Sequence, residues 1–427
     1  MTVLAPAELV ERIWAHDPTV WTGADEAHWL GWLDEPLRMR ERADELLAFA
    51  AEADFDDAVL LGMGGSSLAP LVLARAFGAE RFHVLDTTHP AAIRRLEGSL
   101  DLGRTLFVVS SKSGTTIETR CHLDYFRGKG GTFVAVTDPG SPLAAAEGIS
   151  RVFHGDPTIG GRYSALSAFG LVPAALMGVD LVRLLKRAEE MREACRLGEG
   201  NPGLELGLEL AETSFVQVDC DFGLWVEQLL AESTGKDGKG IVPVAEGGEP
   251  FDVRLPDPYE LGQEFFRWEF ATAVAGSRLA LNPFDQPDVQ AAKDRTQAVL
   301  AEAGEPELEP EGDLDALLES AVEGDWVAIQ AFVDPAREGE LEPLRARVRE
   351  HGLPLAVGLG PRYLHSTGQL HKGGPDTVIA VQVVDDPGDE LPIPGRGFGF
   401  RQLIRAQAAG DYEALRERGR RVCRVTL

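Results

Sequence analysis

The sequence predicts an α/β fold of parallel sheets covered on both faces by helices. Three observations carry that prediction. A strand–turn–helix plan recurs four times between residues 56 and 147, and alternation at that pitch belongs to parallel sheets. A second α/β alternation starts near residue 204. Finally, a chain of 427 residues is too long for one compact core and suits two domains, or one with appendages.

The elements follow in order. ELVERIW and LRMRERADELLAFAAEA repeat apolar residues at helical period, giving an N-terminal helical segment over 1–45. The first α/β domain, 46–200, runs through DDAVLLGMGGSSLAPLVLARAF, RFHVLDTTHPAAIRRLE, TLFVVSSKSGTTIETRCHLDYF and GTFVAVTDPGSPLAAAE. GGRYSALSAFGLVPAALMG and an amphipathic helix through VDLVRLLKRAEEMREAC follow, and RLGEGNPG marks a boundary. The second domain, 201–385, holds DFGLWVEQLLAESTGKDGKGIVPV, then a helix through YELGQEFFRWEFATAVAGSRLAL. NPFDQPDVQAAKDRTQAVLAEAG reads as a loop entering a helix, and EPELEPEGD as an acidic surface loop without assigned function. The strands WVAIQAFVD and LPLAVGLG flank the helix ELEPLRARVREHG; PRYLHSTGQLHKGGP and a final strand, TVIAVQVV, come next. A polar, basic tail or helix occupies 386–427.

Composition narrows the function. A formal net charge of −28 repels DNA and anionic membranes, so nucleic-acid and membrane partners are not expected, and an anionic substrate needs a locally positive pocket. The four cysteines, Cys121, Cys195, Cys220 and Cys423, show no metal or disulfide spacing and suit a reducing compartment. No stretch approaches the roughly 20 apolar residues of a membrane span, and the N-terminus reads as a helix start rather than a signal peptide; the expected location is cytoplasmic. Only seven of the 41 basic residues are lysine. Five of these, Lys112, Lys236, Lys239, Lys293 and Lys372, sit in Gly-, Ser- or Thr-rich stretches or beside FDQ.

Several stretches could carry chemistry. GMGGSS (62–67) lies between a strand and a helix, where glycines let backbone approach a ligand and N–H groups face an anion. Asp86 ends the next strand as in a dinucleotide site, although Ser67 replaces the third small residue of that fingerprint; a tight turn explains the loop equally well. SSKSGTT supplies Ser111, Lys112, Ser113 and Thr116, with Thr119 one turn on. Capping a helix uses one or two hydroxyls, so this stretch predicts a phosphate-monoester cradle. GGRYS carries Arg162, either near a ligand or in a surface turn. Glu232, at the end of an apolar helix, is a general base if desolvated, or a glutamate paired with Lys236. Lys293 follows Asp285 by about two helical turns. His365, His371 and Lys372 share one segment but form no zinc set.

The series GxGGS, SSKSGTT, GGRYS, ESTGKDGKG and FDQPDVQAAK, in this order, resembles glucose-6-phosphate isomerase over roughly residues 50–385. STGQLHKGGP looks most like the isomerase part of fused transaldolase–isomerase proteins; nothing here resembles the transaldolase part. The resemblance implies two sugar-isomerase (SIS) domains, each a doubly wound, flavodoxin-like parallel sheet. It also implies no cofactor or metal, a sugar-phosphate substrate and a homodimer. By motif, Gly65 and Ser66 line the substrate, and Ser111, Lys112, Ser113, Thr116 and Thr119 bind its phosphate. Arg162 stabilises an enediolate, Glu232 moves a proton between C2 and C1, and His365 with Lys293 opens the sugar ring.

Two departures accompany the resemblance. In the common form the histidine precedes the FDQ lysine; here Lys293 comes first and His365 follows. Family dimers supply that histidine from the partner subunit, which leaves open whose site His365 serves. Asp288 also stands where a small residue is usual. Other readings at this stage are a non-catalytic phosphosugar sensor, an isomerase of another sugar such as mannose 6-phosphate, and a nicotinamide enzyme resting on GMGGSS and Asp86.

Overall fold

The computed structural model describes residues 4–301 and 304–427, without the side chains of 289–293. Five strands, β1 (Asp57–Gly62), β2 (Phe82–Leu85), β3 (Thr105–Ser110), β4 (Thr132–Thr137) and β5 (Ile149–His154), form one sheet in the order β2-β1-β3-β4-β5. All its pairs are parallel. This is the flavodoxin-like order.

Every residue of β3 is buried, as a strand covered on both faces must be. Period-2 alternation sorts the side chains. Leu60, Val108 and Val134 face a core shared with Leu9, Ile13, Trp21 and Trp32 of the N-terminal segment. Val59, Leu61, Phe107 and Val109 face a second core.

The second half splits its strands. Short strands β6 (Phe215–Gln217), β7 (Val242–Val244) and β8 (Glu249–Pro250) form a small parallel sheet, β7-β6-β8. Strands β9 (Trp326–Phe332), β10 (Leu355–Leu359), β11 (Val378–Val384) and β12 (Arg421–Thr426) form a larger one, β10-β9-β11-β12, again all parallel. A single bridge between Glu246 and Leu355 joins the two.

The tail differs from the sequence expectation. TVIAVQVV is not the final strand, because β12 pairs beside it along Ile379–Val384. Arginines hide the strand pattern in RRVCRVTL, and two of them are held by the neighbouring strands: Arg421 donates twice to Asp325 at 2.6 Å, and Arg424 Nε donates to Gln382 Oε1 at 2.7 Å. Upstream, Leu391, Ile393, Phe400 and Leu403 pack into the second core of the first sheet. The tail therefore staples the two halves together. The acidic loop has a partner in it, Glu305 pairing with Arg401 at 2.9 Å and with Arg405 at 2.6 Å.

The helix Leu261–Leu279 crosses back as well. Phe265, Phe266, Trp268 and Phe270 are buried in the first core beside Trp32. No helix among the described residues is long and apolar enough to cross a membrane.

Candidate active site

Strand order in the first sheet reverses between β1 and β3, so the crevice beyond their C-terminal ends is the switch point where such sheets take ligands. Both glycine and hydroxyl loops start there. Gly64 has φ +54°, and a Cβ on it would stand 2.2 Å from His365 O. A Cβ on Gly65 would stand 2.2 Å from Gly161 O. Only glycine lets this loop touch both GGRYS and LHS. Ser66 closes the short turn and is buried.

The hydroxyl loop leads into the helix Ile117–Phe126. Thr116 stands at its N-cap but makes no capping bond. Instead Ser111 Oγ and Thr116 Oγ1 lie 2.9 Å apart, Gly114 N–H donates to Ser111 Oγ at 3.1 Å, and Ser113 Oγ is 2.9 Å from Thr115 Oγ1. Thr119 is fully buried, with no hydrogen-bond partner for its hydroxyl among the described residues. Lys112 does not lie over these hydroxyls. Its Nζ is bonded to the Asp138 carboxylate and is 3.4 Å from Asp156 O.

Arg162 is 1% exposed. Its guanidinium donates to Ser233 Oγ at 2.8 Å, Gln286 Oε1 at 2.5 Å, Pro283 O at 2.7 Å and Asp285 O at 2.9 Å. Four acceptors fix the fork in place. Its NH1 is 3.7 Å from Glu232 Oε2.

Glu232 lies in the last turn of the helix Gly223–Thr234. Burial pushes its carboxyl above the usual range, against the opposing pull of Arg162. Lys236 is not its partner, because Lys236 Nζ donates to Asn282 O at 2.7 Å and to Asp285 O and Oδ1 at 2.6 Å. Burial lowers the Lys236 ammonium to about 8.

His365 of the same chain completes the group. Gln228 Nε2 donates to Glu232 Oε2 at 3.0 Å and to His365 O at 2.9 Å. The His365 ring reaches the helix that follows the hydroxyl loop, with Nε2 2.9 Å from Glu118 Oε1. Gln407 Nε2 donates to the same oxygen at 2.6 Å. His371 faces elsewhere: it is buried, with Nδ1 2.9 Å from Gln330 Nε2, and burial lowers it to about 3. Lys372 is buried against Asp411 at 2.5 Å. Lys293 is on the helix Val289–Ala301, but its side chain lies outside the described residues. Asp288, the unusual residue of its motif, ties that loop to the histidine segment: Gln369 Nε2 donates to Asp288 Oδ2 at 2.6 Å.

Asp86 is engaged in an ion pair. Both its oxygens accept from Arg362, at 2.6 and 2.9 Å, which gives the acid a structural partner instead of leaving it unpaired at the strand end.

Sequence reasoning missed Gln228, Gln286, Glu118 and Gln407. Gln228 had a signal, since a polar residue four before Glu232 shares its helix face. Gln286 sits inside FDQ and Glu118 inside SSKSGTTIET. Gln407 had none, being 289 residues from its partner.

This is a doubly wound α/β fold whose glycine and hydroxyl loops start at one switch point. A phosphoglucose isomerase family model matches residues 42–201. A "probable glucose-6-phosphate isomerase" of Natronomonas pharaonis is 31% identical over 341 residues, covering 68% of this chain and 79% of that protein. The glucose-6-phosphate isomerase of Trichormus variabilis is 35% identical over 222 residues, covering 44% of this chain and 42% of that protein. The chain thus spans about two-fifths of such cyanobacterial relatives. A crystal structure of a glucose-6-phosphate isomerase from Chlamydia trachomatis superposes with a TM-score of 0.58 at 18% identity, covering 80% of this chain and 87% of that one, and shares the fold. The chain belongs to the glucose-6-phosphate isomerase family.

Proposed function

We propose that this chain interconverts glucose 6-phosphate and fructose 6-phosphate through a cis-enediolate, without cofactor or metal. The observation that carries this reading is a desolvated carboxylate, Glu232, held 3.7 Å from a guanidinium that four other acceptors fix.

The phosphate sits over Ser111, Ser113, Thr116 and Thr119, with Lys112 at the edge. Gly65 and Ser66 line the sugar. His365 and Lys293 open the ring, His365 moving a proton between O5 and O1, a task suited to imidazole. Glu232 then takes the C2 proton and returns it to C1. Burial supports this role, because a base needs a pKa nearer neutrality than a free glutamate's. Negative charge develops on the sugar oxygen, and Arg162 offsets it without titrating. The anchored phosphate contributes binding energy remote from the reacting carbons.

We infer that His365 serves its own chain, since Gly64, Gln228 and Glu118 of that chain hold it. A cytoplasmic homodimer would then carry two such sites. The test is a coupled assay supplying fructose 6-phosphate and detecting glucose 6-phosphate, with no added metal or cofactor. Turnover that vanishes in Glu232→Gln is the expected result. Tight phosphosugar binding without turnover would point to a sensor, and turnover only with mannose 6-phosphate to another isomerase.

A further inference from the structure

Asp86 stands directly after β2 and is 4% exposed, yet the proposed reaction gives it no part. Its partner, Arg362, is 276 residues away and opens the short turn Arg362–His365. The pairing is fork to fork: Arg362 Nε donates to Oδ2 at 2.6 Å and NH2 to Oδ1 at 2.9 Å. A bidentate pair of this kind fixes direction as well as distance, unlike a single point charge. Around the same guanidinium, Glu227 of the catalytic helix and Glu338 also contribute charge. Burial raises the Glu227 carboxyl to about 8.

The turn carries one working side chain, the His365 ring, at its far end. Within it, Leu364 N–H donates to Pro361 O at 3.0 Å. The His365 backbone is fixed by Gln228, and the ring meets Glu118. Gln228, Glu118 and Asp86 all lie outside the second large sheet, whereas the turn follows its strand β10. The ring therefore reaches its site only if the turn is held across the seam between the two halves.

We propose that Asp86 and Arg362 are positioning residues that hold the His365 ring in hydrogen-bond register with Glu118, an inference that rests on the isomerase reading for its catalytic consequence. Asp86→Asn keeps the shape and loses the charge. Arg362→Lys keeps the charge and loses the fork. Each is expected to lower kcat on the cyclic substrate on the order of tenfold to a hundredfold, the scale of a small misplacement of a reacting group, with KM within roughly twofold. The double variant is expected to be no worse than the poorer single one, since both break the same contact.

The second readout needs no turnover. In ¹⁵N-histidine-labelled protein, with the His365 signals assigned by their loss in His365→Gln, the wild type is expected to show the Nε2–H tautomer, and both variants a shift toward the free-imidazole average. Unchanged kcat and unchanged His365 signals would overturn the proposal, whatever happens to Tm. If neither variant folds, the pair is a folding element and the proposal falls. A wild type that does not isomerise would remove the functional reading alone, and the imidazole spectrum would still decide whether the pair positions the ring.

Discussion

Each of the two large parallel sheets has a place where its strand order reverses, and the two places differ in what fills them. In the first sheet it lies beyond β1 and β3, flanked by glycine and hydroxyl loops with Ser113 and Thr115 exposed. In the second it lies beyond β9 and β11, where Asp334 and Asp385 follow the strands. There the first half plugs the crevice. His89 Nε2 lies 3.2 Å from Asp385 Oδ1, and Arg95 donates to both oxygens of Asp334 at 2.6 and 2.9 Å. Arg337 adds a bond to Asp385 Oδ2 at 3.1 Å. Equivalent topology thus carries the candidate site in one sheet and a joint in the other. The side chains at the strand ends decide which: small hydroxyls and glycines leave room for an anion, whereas acids recruit arginine and histidine from the neighbouring half.

Five substitutions test this contrast. The largest effect is expected at the open crevice. Glu232→Gln should lower kcat about 10²- to 10⁴-fold, the usual worth of a general base, while calorimetry finds phosphosugar affinity nearly unchanged. Equal loss of both would separate Glu232 from the proton transfer. At the plugged crevice, Asp385→Asn strips the counter-charge from a buried cluster and should cost about 3 kcal/mol of stability, read from denaturant unfolding, with KM unaffected. A raised KM there would mean that the second crevice also touches substrate.

Lys112→Ala should raise KM about tenfold, the loss of one charged hydrogen bond, and leave kcat alone. Because Lys112 is bonded to Asp138, Asp138→Asn should shift KM the other way by releasing the ammonium toward the phosphate. The smallest effect concerns pH. Glu232 must be ionised to accept a proton, and burial holds its pKa above the ordinary value, so activity is lost as pH falls through that raised pKa. Gln228 favours the charged form by donating to it. Gln228→Met should therefore move the acidic limb of kcat/KM upward by less than about one pH unit; a limb that stays in place would assign it to another group.

Much of this was legible before folding. The strand–turn–helix repeats announce parallel sheets because a strand buried on both faces must read as a continuous apolar run. The clustered hydroxyls mark a candidate anion site because one helix start cannot use so many. Gly65, Arg162 and Glu232 were legible as candidates for similar local reasons. The other parts depend on distance in space. Whether Glu232 meets Lys236 or Arg162 could not be read from spacing, since Lys236 turns to the loop 282–286 and Arg162 arrives from 70 residues upstream. Asp86 looked like a ribose ligand until Arg362 took both its oxygens.

The sequence by itself determined the class of fold, the hydroxyl-rich loop after β3 and the residue types on offer for chemistry, because backbone periodicity and local residue type are properties of neighbours along the chain. Only the tertiary structure decided which acid is desolvated beside which cation, that His365 meets Glu118 of its own chain, and that the basic tail closes the second sheet. Those outcomes rest on burial and on contacts between residues far apart along the chain, the His365 and Gln407 bonds to Glu118 spanning 247 and 289 positions, and chain spacing carries no record of such pairs.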